Sequence, residues 1–474
     1  MTRHPHGRSL QDLIDEVPDL VAYFYNETRP PHPSRRVELN EYIPPEFTTW
    51  REEQRAWRET AILFDQSHHM PELFLSGPDA LRLLEGLAIN SLANLTMDRA
   101  KQFCACTPRG HVIGDCILYR LGEDSFELVS GMTALNWVHY QSELNGYDVS
   151  IVRDDPTPFN PAGRRVKYRF QLDGPNAGRI LSDAVDGDAP DIPFFRTATV
   201  RIAGCEVLAL RHGMAGHQGV ELSGPYDEMQ AVRTALIAAG EPHGLRRGGT
   251  QAYFSTPIES GWMAYPFPGI FTGDDLRGFR EWLPADGWEA NQHVGGSFYT
   301  SDIERYYVTP WDLGYGRFVV FDHDFIGREA LERLSEEPKR TKVTLVWNEE
   351  DVMRVLGSQF GDGPRYKIPE FPVAYYGFPH YDEVHGQDGE LIGFSCHCGY
   401  TANDRIMLSM AMIEETQAEI GTEVVLTWGE PGGGSRKPEV ERHEQVQIRA
   451  TVAPVPYSQA VRTMKRATIG ASTR

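Results

Sequence analysis

The sequence predicts an α+β protein that ends in a separate all-β domain. Two observations carry the prediction. First, three segments echo one another: LSGPDALRLL (75–84), LDGPNAGRIL (172–181) and LSGPYDEMQA (222–231). Each reads as an apolar strand end, a Gly-Pro turn and a helix start, where proline is tolerated because a first helical turn does not need its N–H. Second, from Lys342 onward KVTLVW, ELIGFS, MLSMAMI, TEVVLTW and VQIRATV alternate with turn signals, the pattern of a strand-rich domain. The echoes recur at unequal intervals, so they describe related β-turn-α units and no solenoid.

Composition narrows the class. The 474 residues suffice for two to four domains. The 41% hydrophobic and 24% charged fractions are ordinary for a globular protein. A net charge of −21 forces no basic face, which argues against a general nucleic-acid role and requires a locally positive pocket for any anionic ligand. No apolar run approaches the ~20 residues that span a bilayer. The opening MTRHPHGRSLQDLIDEV has no signal-peptide core. The six cysteines do not form a disulfide framework, so a reducing cytoplasm is the expected setting.

The elements follow in chain order. Residues up to about 36, with RPPHPSRR, read as an irregular lead-in. Trp50, Ala56, Trp57 and the run 61–64 fit a helix with its apolar side inward. In LFDQSHHM (63–70) the adjacent histidines cannot share one face, so at most one enters a given pocket. There is no HExxH and no third ligand at metal spacing, so a zinc site is set aside. Leu81, Leu84 and Ala88 repeat at helical spacing, as do Met229, Val232 and Leu236 before Gly240.

RGHVIGDCILY (109–119) reads as a buried strand behind an Arg-Gly turn, with Asp115 inside the apolar run. An ionised carboxylate out of water costs several kcal/mol unless it is paired. From the strand alone, a strand-end acid that caps a loop or meets an arginine fits better than one kept for a ligand. A strand at 126–129, a turn at Ser130-Gly131 and a helix through Trp137 come next, then a loop at 154–163 and a basic strand with Arg164, Arg165, Lys167 and Arg169. The region 244–321 is dense in glycine, proline and aromatics, which suits cleft loops. HDFIGREALERL resumes a helix with Gly327 near its start, and 336–340 reads as the linker to the β domain. Gly432-Gly433-Gly434 reads as a hairpin tip, since no Lys-Ser/Thr follows at P-loop spacing.

FDQSHHM, GHVIGDCILY, HGMAGHQGVEL, YFSTPIESGW, DLGYGRFVVFDHDFIGREAL, ELIGFSCHCGY and VAPVPY, in that order, resemble the glycine-cleavage T-protein (aminomethyltransferase) family over about 45–457. FDQSHHM, ESGW and HDFIG are similar in particular to its tetrahydrofolate-dependent aromatic O-demethylases, a branch acting on vanillate, 3-O-methylgallate, syringate and herbicides such as dicamba. The resemblance implies a three-domain cloverleaf around a folate channel. Its parts would be a discontinuous folate-binding α+β domain (1–65 and 165–250), a second α+β domain (66–164 and 251–335) and a β-barrel-like domain (336–474). It also implies a methyl transfer from an aryl methyl ether to N5 of tetrahydrofolate, giving a phenol and 5-methyltetrahydrofolate without a metal.

The family's ligand residues carry over one at a time. Asp115 matches the acid near the reactive pterin nitrogens, Glu221 the acid that grips the pterin edge, and Trp262 walls that pocket. Gln66 and His69 fall on the substrate side, with Tyr42 near a further tyrosine there. Tyr253 matches the demethylases' active-site tyrosine. Vanillate-type enzymes place an arginine after the strand 126–129; here that place holds Gly131 beside Met132, which implies a less basic pocket. An aryl ether is a poor methyl donor because it releases a phenolate, the base of a phenol with pKa ~10. The site must therefore align the methyl group, serve the departing oxygen and exclude water. Tyr253, and after it His69, are the candidates for the oxygen. Asp115 and Glu221, as ionised carboxylates, accept from pterin N–H groups.

Rival readings have their own signatures. An aminomethyltransferase proper needs a lipoyl carrier protein, whereas the aromatic insert at 282–311 and the excursion at 365–381 favour a small-molecule cleft. A folate-binding assembly factor resembles K-G-C-Y-x-G-Q-E, and a flavin-linked oxidase needs GxGxxG; neither string occurs. Glu259 reads as a loop anchor, Arg246 and Arg247 as solvated, and Cys396-His397-Cys398 as a β-turn with incidental cysteines.

Overall fold

Apolar alternation through the first 250 residues builds two sheets that meet on a polar seam. The computed structural model describes residues 7–25, 40–160, 162–214, 218–263, 266–373, 380–433 and 440–463. A six-stranded sheet runs in the order Leu245–Gly248, Ala61–Asp65, Lys167–Asp173, Gly219–Pro225, Cys205–Arg211 and Thr197–Ile202. A five-stranded sheet runs Ala100–Cys106, Val112–Gly122, Ser125–Val129, Glu72–Ser76 and Ser150–Asp154. The third body is a closed barrel of Arg340–Trp347, Ile406–Glu414, Leu391–Thr401, Tyr381–His385, Glu423–Trp428 and Val446–Ala453. The architecture is thus α+β with a C-terminal β-barrel.

The three echoes end the strands Glu72–Ser76, Lys167–Asp173 and Gly219–Pro225 and lead into the helices Ala80–Glu85, Ala177–Ala184 and Met229–Gly240, the last through a 3₁₀ turn. In the first two the glycine is required. Gly77 and Gly174 have φ of +137° and +122°, and a Cβ would lie 2.4 Å from the Asp148 carbonyl oxygen and 2.7 Å from that of Thr60.

Register decides which side chains meet. Tyr119 pairs with Glu127, Ile117 with Val129 and Glu72 with Val129, so Asp115, Tyr119, Glu127 and Glu72 share one face of the five-stranded sheet. The other face (Leu73, Leu75, Leu118, Phe126 and Leu128) enters the main apolar core. In the six-stranded sheet Glu221 pairs with Gln171 and Ser223 with Arg169, so Arg169 and Glu221 share a face. The two polar faces lock through Arg169, which reaches Glu72 at 3.0 Å, Glu127 at 2.5 Å and also Glu221. Lys167 joins Glu127 at 2.7 Å. Two of the cations of the basic strand region are thus structural: Arg169 is 1% exposed, and Arg165, 3% exposed, pairs with Asp154 at 2.9 Å.

Several expectations are corrected. The lead-in contains helices Leu10–Glu16 and Leu20–Phe24. A capping box starts the first, with Ser9 N–H on Asp12 at 2.8 Å and Asp12 N–H on Ser9 at 3.1 Å. Leu10, Leu13, Val21 and Phe24 pack in the same cluster as Leu73, Leu84 and Phe103, with the five-stranded sheet and not with the six-stranded one. The run 29–36 lies outside the described residues, as does Gly434. The helix beginning at Trp50 stops at Glu59, and Ala61–Asp65 is a strand, because that apolar run finds partners on both edges. The β domain also holds a helix, Glu349–Gly357, capped by Asn348. Cys396-His397-Cys398 lies in a strand, at a β-bulge before Gly399. All six cysteines are free. Among the described residues no helix is long and apolar enough to cross a membrane.

Candidate functional site

Asp115 is 4% exposed in the strand Val112–Gly122. Its Oδ2 accepts from Gln102 Nε2 at 2.5 Å, across the neighbouring strand, and from the Tyr315 hydroxyl at 2.8 Å. Trp262 lies close to this carboxylate. Burial pushes the Asp115 pKa up to about 6, against the Tyr315 hydrogen bond, the nearby Trp262 and the Lys342 charge, which pull it down. Asp115 is therefore an ionised acceptor at neutral pH and loses that charge in mild acid. Tyr315 has no role in the reading of the sequence, although it lies in the quoted motif DLGYGRFVVF; its distance from Asp115 along the chain hides it.

Glu221 sits on the strand Gly219–Pro225 of the other sheet. Its Oε1 accepts from the Tyr119 hydroxyl at 2.5 Å and from Arg169. Among the described residues, no hydrogen bond goes to Oε2. Tyr119 lies four residues from Asp115 on the same strand face, so one strand carries the first acid and grips the second.

The substrate-side residues meet at the helix Thr250–Ser260. Tyr253 packs edge-on against Phe64 and His69, with ring centroids 5.3 and 4.7 Å away. Gln66 Nε2 donates to the Tyr253 hydroxyl at 3.3 Å and also contacts Met214 Sδ. Phe64, Asp65, His69, Gly248, Tyr253 and Phe254 line a small cavity here. Both ring nitrogens of His69 and the Gln66 Oε1 are buried with no partner among the described residues. Burial, with His68 and Arg165 nearby, pushes the His69 pKa down to about 3. His69 is thus a neutral imidazole, able to offer a neutral N–H and not an imidazolium proton.

Tyr42 lies apart from this cluster. It is 42% exposed and stacks on His68 at 4.8 Å, while His68 bonds Thr157. Only one of the adjacent histidines, His69, faces Tyr253. The contacts of Gly131 and Met132 also run elsewhere. Gly131 has φ +70°, and a Cβ there would lie 2.1 Å from the Asp115 carbonyl oxygen, so the position admits no side chain in this backbone. Met132 Sδ faces Arg153 at 3.2 Å. Glu259 is an anchor: it accepts from Trp57, Arg58, Thr401 and Asn403. Arg246 and Arg247 are exposed, with Arg247 lying 3.8 Å over the Phe47 ring.

Residues 23–267 match the GCVT N-terminal domain. The fold is similar to that of the glycine cleavage system aminomethyltransferase T from Bartonella henselae, with a TM-score of 0.60 at 18% identity, covering 89% of this chain and 96% of that one. The chain belongs to the glycine-cleavage T-protein (aminomethyltransferase) family. Sequence relatives narrow the assignment. The chain is 47% identical to syringate O-demethylase of Sphingobium sp. (strain NBRC 103272 / SYK-6), over 96% of this chain and 97% of that one. It is 31% identical to sesamin methylene transferase of Sinomonas sp. (strain No.22), over 88% and 90%. Within the family it is a methyltransferase of the aromatic O-demethylase branch.

Proposed function

We propose that the protein moves a methyl group from a methoxylated benzoate to N5 of tetrahydrofolate, releasing a phenol and 5-methyltetrahydrofolate. The observation that supports this reading is the Tyr253–Gln66–His69 cluster, where both His69 ring nitrogens and Gln66 Oε1 are buried with no partner among the described residues, and His69 and Tyr253 line a small cavity. Buried polar atoms are normally satisfied, and those that are not point to a missing ligand or water. The acids fit the second substrate: a pterin edge presents N–H donors, and Glu221 Oε2 is an acceptor left open by its neighbours. Tetrahydrofolate supplies the nucleophilic N5. The chain's residues do the rest. Asp115 and Glu221 orient the ring by accepting its N–H groups. Tyr253, steadied by Gln66, hydrogen-bonds or protonates the departing oxygen. Neutral His69 offers a second donor, and the buried walls keep water from the transferred group.

The relative at 47% identity supports syringate as the first substrate to try. Division of the chain at 65, 164, 250 and 335 belongs to this proposal, supported by the strands each sheet draws, except that the helices at 10–24 go with the second domain; so does a cytoplasmic setting, supported by six free thiols. The test offers syringate, vanillate, 3-O-methylgallate and dicamba with tetrahydrofolate and measures phenol and 5-methyltetrahydrofolate. Absence of phenol from all four sinks the demethylase reading. Tyr253→Phe is expected to slow turnover by roughly 10²–10⁴-fold with folate affinity unchanged; an undiminished rate removes Tyr253 from the chemistry.

A further inference from the structure

The two segments that approach Asp115 from outside its sheet, one donating through Tyr315 and one carrying Trp262, are both tied to one barrel strand. Tyr315 arrives on the turn 309–316, where its N–H bonds the Pro310 carbonyl at 2.7 Å. Asp312 caps that turn, accepting from Thr309 N–H at 2.7 Å and Thr309 Oγ1 at 2.9 Å. Arg340, at the start of the strand Arg340–Trp347, pairs with Asp312 at 2.8 Å. Two residues on and on the same face, Lys342 donates to the Gly261 carbonyl at 2.7 Å, next to Trp262. We propose that Tyr315 is a positioning residue: its hydroxyl, fixed through Asp312 and Arg340, holds the Asp115 carboxylate ionised and oriented for the folate ring. This rests on the folate reading above.

The surroundings of Asp115 leave Tyr315 a large share of that work. The titratable groups facing Asp115 are Tyr315 and Lys342 from outside the sheet and Cys104 on the paired strand, while Cys116, next along the strand, points to the opposite face. Gln102 is a neutral donor, and the Trp262 indole nearby carries no charge. Burial and the nearby carboxylate push the Tyr315 phenol well above its ordinary range, so it remains a donor throughout. A donor to the anion favours ionisation, and removing it raises the pH at which Asp115 becomes charged.

Calorimetric titration of tetrahydrofolate from pH 5 to 9 on the full chain tests this. Wild-type affinity is expected to fall as pH drops through about 6. Tyr315→Phe keeps the buried ring and is expected to move the midpoint up by about one pH unit, giving about threefold weaker binding at pH 6.5, approaching tenfold at pH 5, and near-wild-type binding at pH 9. Asp115→Asn should show no such limb. A merely structural tyrosine would weaken binding equally at every pH. A Tyr315→Phe midpoint at the wild-type position overturns the proposal. If that variant does not fold, Arg340→Gln, which releases the turn, is read by the same midpoint and the same criterion. Failure of the wild type to bind tetrahydrofolate at any pH is a separate outcome, and it overturns the folate reading itself.

Discussion

Replacing Glu221 by glutamine changes one charge and almost no volume, and the geometry around it sets what should follow. The glutamine carbonyl can take the place of Oε1 and still accept from Tyr119 and Arg169. That turns the amide nitrogen toward the ligand, a donor where a pterin donor arrives. The lost charge-assisted bond is worth about 1.5–3 kcal/mol, or roughly 10–150-fold in Kd. Folding should suffer little. Breaking a buried ion pair usually costs about 3–5 kcal/mol because a charge is left unpaired, but Arg169 keeps Glu72 and Glu127. Three buried carboxylates here face Arg169 and Lys167, and burial together with Glu127 already holds the Glu72 pKa above its ordinary value. Losing one carboxylate brings that cluster closer to balance. Calorimetry of tetrahydrofolate binding, with a thermal melt of the same sample, gives both numbers. A folded variant with folate affinity within about twofold of wild type refutes the reasoning. So does a collapse of stability, which would make Glu221 scaffold.

Two further predictions concern Asp115 and the glycine packed on its backbone. The Asp115 pKa is raised in the folded state, so its protonated form favours folding, and that contribution is present below about pH 4 and lost as pH rises through about 6. Asp115→Asn should therefore raise stability at pH 8 by up to ~3 kcal/mol and leave it unchanged near pH 4, while folate binding falls; equal stability at both pH values contradicts the burial argument. Gly131→Ala drives a Cβ into the Asp115 carbonyl; a loss of about 1–3 kcal/mol and weaker folate binding are expected by melt and calorimetry, and a neutral substitution would mean that this backbone is not so closely packed.

What was legible in the sequence is what short-range pattern encodes. Period-two alternation announced most barrel strands, and the Gly-Pro echoes marked three strand-to-helix turns, because a positive φ or a close backbone approach leaves glycine little competition. The adjacency of His68 and His69 already implied that only one enters the pocket, since neighbouring side chains diverge. The run 61–64 misled because a short apolar stretch fits a helix end and a buried strand equally, and only its two sheet partners decide. Arg165 and Arg169 looked like members of a basic strand. Their burial is set by carboxylates 11 to 97 residues away in the chain, and no local pattern records such a pairing.

The sequence by itself determined an α+β chain with a C-terminal β domain and the family through its ordered motifs, and it proposed two acids and a tyrosine as site residues. Tertiary structure alone decided that Asp115 is held by Tyr315, 200 residues on, that Glu221 is loaded on one oxygen only, and that burial leaves His69 neutral. The physical reason is range. Secondary structure and turn chemistry follow from neighbours along the chain, whereas desolvation and ion pairing depend on which faces of two separate sheets come together.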